Sequence, residues 1–202
     1  MKRRLGFSHA VILLVVALLL VPSGGWLGTP SGPGAQPPKE ELAPFVPTPQ
    51  SVVDTMLRMA ELKKGDVLYD LGSGDGRIVI TAAKRYGVKA VGFEIDDNLI
   101  AQSRQSARRE GVAKLVEFRK QDVMTVDLSP ATVVTIYLLS EANMALRPRI
   151  LSQLRPGSRV VSHDYSMGDW PPVKVEEVQE PDRIHTAHTI YLWRIGATSP
   201  PQ

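Results

Sequence analysis

The sequence predicts an α/β domain with a mostly parallel sheet of seven strands, an antiparallel last strand and helices on both faces. Short apolar, β-branched segments alternate with helix-like segments from about residue 51 onward, as in strands joined by crossover helices. A glycine-rich turn follows the first predicted strand, and acidic residues follow the first three strands. Because ligands of open α/β sheets bind beyond the carboxyl ends of the strands, this pattern predicts a site at that edge.

Each element has a local signal. Apolar residues at helical spacing and glycine stop signals predict helices at 51–62, 77–86, 96–110 and 141–154. The last of these is imperfect because Pro148 interrupts it. Apolar and β-branched segments predict strands at 67–70, 89–94, 114–120, 132–139, 158–163, 173–179 and 189–195. The final two strands are expected to form a closing antiparallel pair.

The glycine turn at residues 67–77 is the stretch around which the chain is organised. Gly72, Gly74 and Gly76 alternate there, and glycine permits positive φ and close approach of a ligand. The helix that begins near Arg77 presents free N–H groups to an anion. Asp70, at the strand end, can order the turn or receive an ammonium group. A nucleotide-like ligand with carboxylate and cationic parts is therefore expected.

Two other interpretations of this turn compete with that one. A dinucleotide-binding turn would place its third glycine at position 77, where the chain has Arg77. A purely structural turn becomes less attractive because two further acids follow strands two and three. Glu94 ends the second strand, 24 residues after Asp70, where an acid can accept both ribose hydroxyls. Asp122 follows the third strand, so three strands deliver an acid to one edge.

The ends of the chain predict separate segments. Residues 1–4 are basic and residues 10–21 are uninterruptedly apolar, which predicts a signal peptide or membrane anchor over 1–21. Membrane association would run through residues 5–21, and the side of the membrane on which the domain lies stays open. A linker rich in proline and glycine is predicted at 22–43, the domain at 44–196 and a flexible tail at 197–202.

Composition limits the function classes. The absence of cysteine excludes disulfides and thiolate metal sites, and the four histidines lack a helical metal-ligand spacing, so no metal is predicted. The net charge is +3, of which residues 1–41 carry +2, so no nucleic-acid partner is indicated. The domain is expected to be a monomer.

The motif D-x-G-x-G-x-G from Asp70 to Gly76 closely resembles the first motif of class I S-adenosylmethionine-dependent methyltransferases. The resemblance implies a Rossmann-like seven-stranded methyltransferase sheet and S-adenosyl-L-methionine as cofactor. It implies that Gly72, Gly74 and nearby backbone hold the methionine part, that Glu94 binds the ribose, and that Asp122 and Val123 meet the adenine. The full set of cofactor-binding candidates is Phe45, Thr48, Asp70, Gly72, Ser73, Gly74, Gly76, Glu94, Asp122 and Val123.

A narrower resemblance rests on residues 44–49, 70–80, 91–95 and 103–104, which look like the small seven-strand protein-lysine methyltransferases. Mitochondrial members of that family carry an N-terminal membrane segment and modify inner-membrane proteins. The family's element that matches Phe45 to Thr48 helps to cover the cofactor. N-methylation of lysine in a protein substrate is therefore the first hypothesis. Residues 137–143 and 163–170 resemble the bacterial members of the group more than its mitochondrial members, which leaves the substrate open.

Catalytic candidates come from the loops after strands four and five. A lysine nucleophile must be neutral, and a carboxylate or an aromatic wall can orient it. The candidates at these positions are Tyr137, Glu141, Asn143, His163, Asp164 and Trp170, of which Tyr137, Asn143 and Asp164 are predicted to be catalytic. No Asn-Pro-Pro-Tyr-like stretch is present, which argues against methylation of adenine or glutamine amino groups. The alternatives are a small-molecule or lipid methyltransferase near the membrane, or an exported non-catalytic binding module.

Overall fold

The computed structural model describes residues 45–179 and 187–196. The predicted anchor at 1–21, the linker at 22–43 and the tail at 197–202 lie outside these described residues, as does the predicted domain boundary at 44. Within the described ranges, no helix has the length and apolar character needed to cross a membrane.

The described chain alternates strands and helices as expected. The helices are α1 (Gln50–Met59), α2 (Arg77–Tyr86), α3 (Asp97–Arg109) and α4 (Ser140–Gln153), with a short 3-10 turn at Val123–Thr125. The strands are β1 (Val67–Leu71), β2 (Lys89–Glu94), β3 (Val116–Lys120), β4 (Val133–Ile136), β5 (Arg159–His163), β6 (Lys174–Gln179) and β7 (Ala187–Arg194).

The seven strands form one sheet in the order β3-β2-β1-β4-β5-β7-β6. Strands β1 to β5 are parallel, and β7 inserts antiparallel between β5 and β6. The predicted fold class is therefore confirmed. The chain runs outward from β1 in one direction through β2 and β3, and in the other through β4 and β5. That reversal opens a crevice beyond the carboxyl ends of β1 and β4.

Helices cover both faces of the sheet, as predicted. Alternate residues of each strand point to opposite faces, so neighbours such as Leu68 and Tyr69 enter different cores. The first core joins the sheet to α1, α2 and α3, and the second joins it to α4. Rigid packing on both faces fixes the loops at the edge of the crevice.

Two differences from the sequence prediction have a clear physical cause, whereas the ends of several other elements shift by one to three residues. Strand β4 ends at Ile136 and not at 139, because its pairing with β1 stops where β1 ends at Leu71. Residues 137–139 therefore leave the sheet and enter the crevice edge. Pro148 lies inside a continuous α4, because buried Leu146 and Ile150 on either side hold the helix against the sheet.

Candidate active site

The glycine turn has the backbone that its sequence predicts. Gly72, Gly74 and Gly76 all have positive φ, at 80°, 53° and 80°. The amide groups of Gly72 and Ser73 both donate to the carbonyl oxygen of Phe93, at 2.9 Å each. The turn is thus fastened to the end of β2, in a conformation that residues other than glycine rarely adopt.

Close neighbours also demand glycine in this turn. A Cβ atom on Gly72 would lie 2.9 Å from Leu138 Cδ2, and one on Gly74 would lie 2.5 Å from the ring of Phe45. A Cβ atom on Gly76 would meet the ring of Phe118 at 2.7 Å. Phe45 and Leu138 therefore flank the turn from two different segments, whereas Gly76 allows tight packing of the turn against β3.

Asp70 lies one residue before the end of β1 as a buried carboxyl group, with only 2% of its surface exposed. Its Oδ1 accepts a hydrogen bond from the Thr135 hydroxyl at 2.7 Å. Burial raises the pKa of Asp70 to about 7, against the lowering effect of Thr135 and with a further rise from Glu94 and Asp75. A cation placed beside this carboxyl group would restore its ionised form, so Asp70 favours an ammonium group.

Glu94 and Asp122 occupy the expected strand ends. Glu94 Oε2 accepts from the Gly74 amide at 2.9 Å, and its Oε1 accepts from the Ile95 amide at 2.7 Å. Asp122 caps the short 3-10 turn by accepting from the Met124 amide at 3.0 Å. Val123 is buried at the start of that turn. Both carboxylates stay partly exposed, so their outer edges are accessible to hydroxyl or amino donors.

These residues fit S-adenosylmethionine. A Cβ atom on Gly72, Gly74 or Gly76 would fill the glycine turn. The buried Asp70 can pair with an ammonium group, and Glu94 provides a second acid at the end of β2. Ser73 differs from the other candidates, since its side chain packs against Gly92. The Ser73 hydroxyl is buried with no hydrogen-bond partner in the described part of the chain.

The segment before α1 links the turn to the other half of the sheet. Arg77 Nη1 donates to the carbonyl oxygen of Thr48 at 2.7 Å. The Thr48 hydroxyl lies 3.3 Å from His163 Nδ1, within hydrogen-bond distance. Thr48 is buried while Phe45 stays half-exposed over Gly74. Both residues that the sequence analysis picked from this segment therefore lie against the site.

Tyr137 and Asp164, two of the predicted catalytic residues, come together beyond β4 and β5. The Tyr137 ring contacts the His163 ring in a tilted arrangement, with centroids 3.8 Å apart and an angle of 32° between the planes. Burial, followed by nearby Asp164 and Tyr165, raises the pKa of the Tyr137 phenol. Asp164 is half-buried and has the left-handed φ of 60°. An aromatic wall beside a carboxyl group is suited to orienting a lysine side chain.

Asn143, the third predicted catalytic residue, faces inward. It is fully buried, and its Nδ2 donates to Ser162 Oγ at 3.1 Å and to the Tyr165 carbonyl oxygen at 3.0 Å. These bonds hold the loop after β5 in place, so its position suits a supporting residue. Of the remaining candidates, Glu141 is exposed at the start of α4 and Trp170 packs on Trp193.

Sequence reasoning missed His188, which contacts both His163 and Asp164. His188 stands 25 residues from His163, and only the pairing of β7 against β5 brings them together. The alternation of residues within the predicted fifth and seventh strands was the available signal, but neither their pairing nor their register is visible in sequence. Burial lowers the pKa of His163 to about 4, against the raising effect of Asp164 and with further lowering by His188.

Comparison with known proteins identifies similar chains and structures. A family model for the ANTKMT methyltransferase domain matches residues 70–174. A protein-lysine N-methyltransferase of Saccharolobus islandicus is 44% identical over 154 residues, covering 76% of this chain and 94% of the relative. The adenine nucleotide translocase lysine N-methyltransferase of Mus musculus is 32% identical over 133 residues, which span 65% of this chain and 57% of that protein.

Among solved structures, one is an RNA methyltransferase from Salinibacter ruber in complex with S-adenosyl-L-homocysteine. It is 50% identical with a TM-score of 0.69, and the match covers 78% of this chain and 98% of that one. S-adenosyl-L-homocysteine is the demethylated product of the cofactor that the glycine turn predicts.

Proposed function

The chain belongs to the ANTKMT methyltransferase domain family, and from this membership we propose that it methylates the side-chain amine of lysine in a protein substrate. It is an S-adenosylmethionine-dependent methyltransferase, as its glycine turn predicts. The observation that carries the lysine proposal is the Saccharolobus relative, which is named a protein-lysine N-methyltransferase and is covered over 94% of its length. Family membership also favours an enzyme over the exported binding module.

We assign the cofactor to the residues around the glycine turn. Asp70 would pair with the ammonium group, Glu94 would accept from the ribose hydroxyls, and Asp122 with Val123 would border the adenine. When bound, the cofactor supplies an electrophilic methyl group on a sulfonium. Phe45 would then exclude water from above Gly74, because its ring already lies against that glycine.

The acceptor would approach from the edge formed by Tyr137 and Asp164. The lysine nitrogen must be neutral to use its lone pair, and it forms the new N–C bond as the S–C bond breaks. Asp164 can hold the lysine ammonium by a charge-assisted hydrogen bond until its proton passes to solvent water, and Tyr137 forms one wall of the approach path. Both side chains are partly exposed, which leaves them open to a protein segment arriving from solvent.

A second candidate acceptor is RNA, since the Salinibacter structure is described as an RNA methyltransferase. The charge of this chain does not favour it. Outside residues 1–41 the chain has 20 Lys and Arg against 19 Asp and Glu, whereas binding to the phosphate backbone draws on clustered positive charge. Protein lysine therefore stands ahead of RNA.

The two acceptors can be separated in one assay. The purified full chain is incubated with S-adenosylmethionine labelled on its methyl group, together with cell protein and total RNA. We expect label in the protein fraction, recovered as methyl-lysine by mass spectrometry, and none with the Asp70→Ala variant. Label that ribonuclease releases, without any methyl-lysine, would replace the lysine proposal with RNA methylation.

We also propose that residues 5–21 associate with a membrane and that the domain is a monomer. Support for the first comes from the basic residues 1–4 followed by the apolar residues 10–21. Fractionation of cells that carry the full chain, with a reporter fused to its C-terminus, tests both the association and the side. Light scattering of the purified chain tests the monomer, which a dimer mass would contradict.

A further inference from the structure

We propose that His163, Asp164 and His188 form a binding site for a divalent first-row transition metal ion, with zinc as the probe. Their ligand atoms are His163 Nε2, His188 Nδ1 and one carboxylate oxygen, Asp164 Oδ2. The two nitrogens lie 2.8 Å apart, and each lies 3.2 Å from the oxygen. Three donors from two strands and the residue after β5 therefore converge on one point.

Hydrogen bonds alone do not satisfy all three of these ligand atoms. With both imidazoles neutral, at most one hydrogen can stand between the two nitrogens, and the carboxylate brings none. A hydrogen on one nitrogen therefore leaves the lone pair of the other nitrogen facing the carboxylate oxygen at 3.2 Å, and a hydrogen on each nitrogen sets two N–H groups against each other at 2.8 Å. A cation at the centre satisfies all three lone pairs at once, and it offsets the charge of the carboxylate.

The geometry is close to that of a bound ion. A tetrahedral zinc ion with bonds of about 2.0–2.1 Å holds its ligands about 3.3 Å apart. The two edges to Asp164 already have nearly this length, and the edge between the histidines needs only a small opening. Two imidazoles and one carboxylate are donors that suit zinc and its neighbours in the first row.

Surrounding groups fix the ligands in this arrangement. The Thr48 hydroxyl lies at the second ring nitrogen of His163, which sets the orientation of the imidazole. The Thr189 amide donates to Asp164 Oδ1 at 2.9 Å and leaves Oδ2 facing the histidines. Asp164 holds a left-handed backbone, a strained conformation that is concentrated at functional sites.

Access and position also fit a metal site. Asp164 keeps 28% of its side chain exposed while His163 is fully buried, so an ion would reach the site from the side of Asp164. A bound ion would join the end of β5 to β7 beside Tyr137. Occupancy should therefore fix β5 to β7, and because the ion takes Asp164 Oδ2 it would compete with the acceptor amine for that oxygen.

The test is calorimetric titration of the full chain with zinc chloride, after dialysis against a chelator. We expect one ion per chain and a higher melting temperature when the ion is bound. Asp164→Asn removes the negative charge of the oxygen ligand and His188→Gln removes an imidazole ligand, so each should weaken binding at least about tenfold. Asparagine tolerates the left-handed backbone of position 164, so that variant is expected to fold. Asp169→Asn, which removes an exposed carboxylate that faces Arg147, is the matched control and should bind zinc normally.

X-ray absorption of the zinc-loaded wild-type chain keeps the proposal testable if a variant unfolds. Two imidazole ligands and one oxygen ligand at zinc–ligand distances of about 2.0–2.2 Å are expected. The proposal is overturned by a folded wild-type chain that takes up no zinc, by variants that bind as tightly as wild type, or by a zinc spectrum without imidazole.

Discussion

At the scale of the residue, Asp70 shows how one side chain is tuned for its ligand at a cost in stability. Its carboxyl group is buried with a single hydroxyl donor, so the ionised form lacks the hydration it would have in water. The folded protein therefore binds a proton there more firmly than the unfolded chain does. The stabilisation this gives is complete at low pH and is lost as pH rises through the folded pKa of about 7.

Replacing Asp70 with asparagine tests this argument. We expect Asp70→Asn to stabilise the cofactor-free protein at pH 8, by on the order of 2–4 kcal/mol, and hardly at all near pH 4. Urea unfolding at both pH values measures the difference. The same variant should bind S-adenosylmethionine at least about tenfold more weakly in calorimetry, because its neutral amide cannot pair with the ammonium. Equal gains in unfolding free energy at both pH values would contradict a buried carboxyl group with a raised pKa.

Gly74 gives a second prediction at this scale, since a methyl group there must displace the Phe45 ring. Gly74→Ala should weaken cofactor binding about tenfold or more, through both the clash and the positive φ. Adding Phe45→Ala should recover part of that loss, because it removes the clashing ring but not the backbone strain. A double-mutant cycle in binding free energy measures the recovery. A purely additive result would show that Phe45 does not cover the glycine turn in solution.

The geometry of the glycine turn and the placement of the acids could be predicted residue by residue, because glycines and acids at strand ends leave a local signature. The acceptor side could not. Asn143 was expected to face the substrate, whereas its amide is directed inward to the loop after β5. His188 was not predicted as a site residue, because its partners depend on how β7 pairs with β5. Contacts that depend on which strands pair leave no pattern in the spacing of residues along the sequence.

At the scale of the element, the amino ends of three strands are tied by one buried ionic network. Asp66 Oδ1 accepts from the Thr132 hydroxyl at 2.8 Å and also from Arg159, and its Oδ2 accepts from the Lys63 amide. Burial alone would raise the pKa of Asp66, but these donors outweigh it and lower the pKa. The network therefore stabilises the fold at pH values above the usual pKa of a carboxyl group. This stabilisation is lost as pH falls through the lowered pKa of Asp66.

Loss of this network should lower the free energy of unfolding but leave cofactor binding unchanged. Arg159→Met leaves Asp66 buried without its cation, which we expect to cost about 3–5 kcal/mol of unfolding free energy. Affinity for S-adenosylmethionine should not change, because the network lies at the opposite ends of the strands from the glycine turn. Denaturant unfolding and calorimetry measure the two quantities. The double variant Asp66→Asn with Arg159→Met should regain part of the stability, and failure to do so would show that Arg159 acts through packing.

Elements with strong local signals were predicted closely. Helix α2 and strand β2 have the bounds that the sequence indicated, because glycines end both the helix and the turn before it. Strand β4 was predicted too long, since residues 137–139 are as apolar as a strand yet lie beyond its partner. Helix α4 survives Pro148 because tertiary packing outweighs the loss of one hydrogen bond.

At the scale of the whole molecule, the order of strands explains why a sequence-level motif could identify the cofactor but leave the acceptor open. Apart from Phe45 and Thr48, the candidate cofactor residues lie at or beyond the carboxyl ends of β1, β2 and β3, which lie side by side on one half of the sheet. The proposed acceptor edge is formed by β4, β5 and the antiparallel β7, which the chain reaches only after crossing back over β1. Local alternation predicts the strands, but the insertion of β7 between β5 and β6 depends on the folded sheet.

The same geometry predicts which part of the chain suffices for cofactor binding. Each candidate residue that the structure places at the site lies at or beyond Phe45, so a fragment of residues 44–202 should bind S-adenosylmethionine with a dissociation constant within about twofold of the full chain. A shorter fragment of residues 50–202 loses Thr48, and with it the bonds to Arg77 and His163. We expect that fragment to bind about tenfold more weakly, because the segment over the turn is gone. Calorimetry on the three chains measures the series. Weaker binding by 44–202 than by the full chain would mean that residues before 44 take part in the site, and equal binding by 50–202 would remove Phe45 and Thr48 from it.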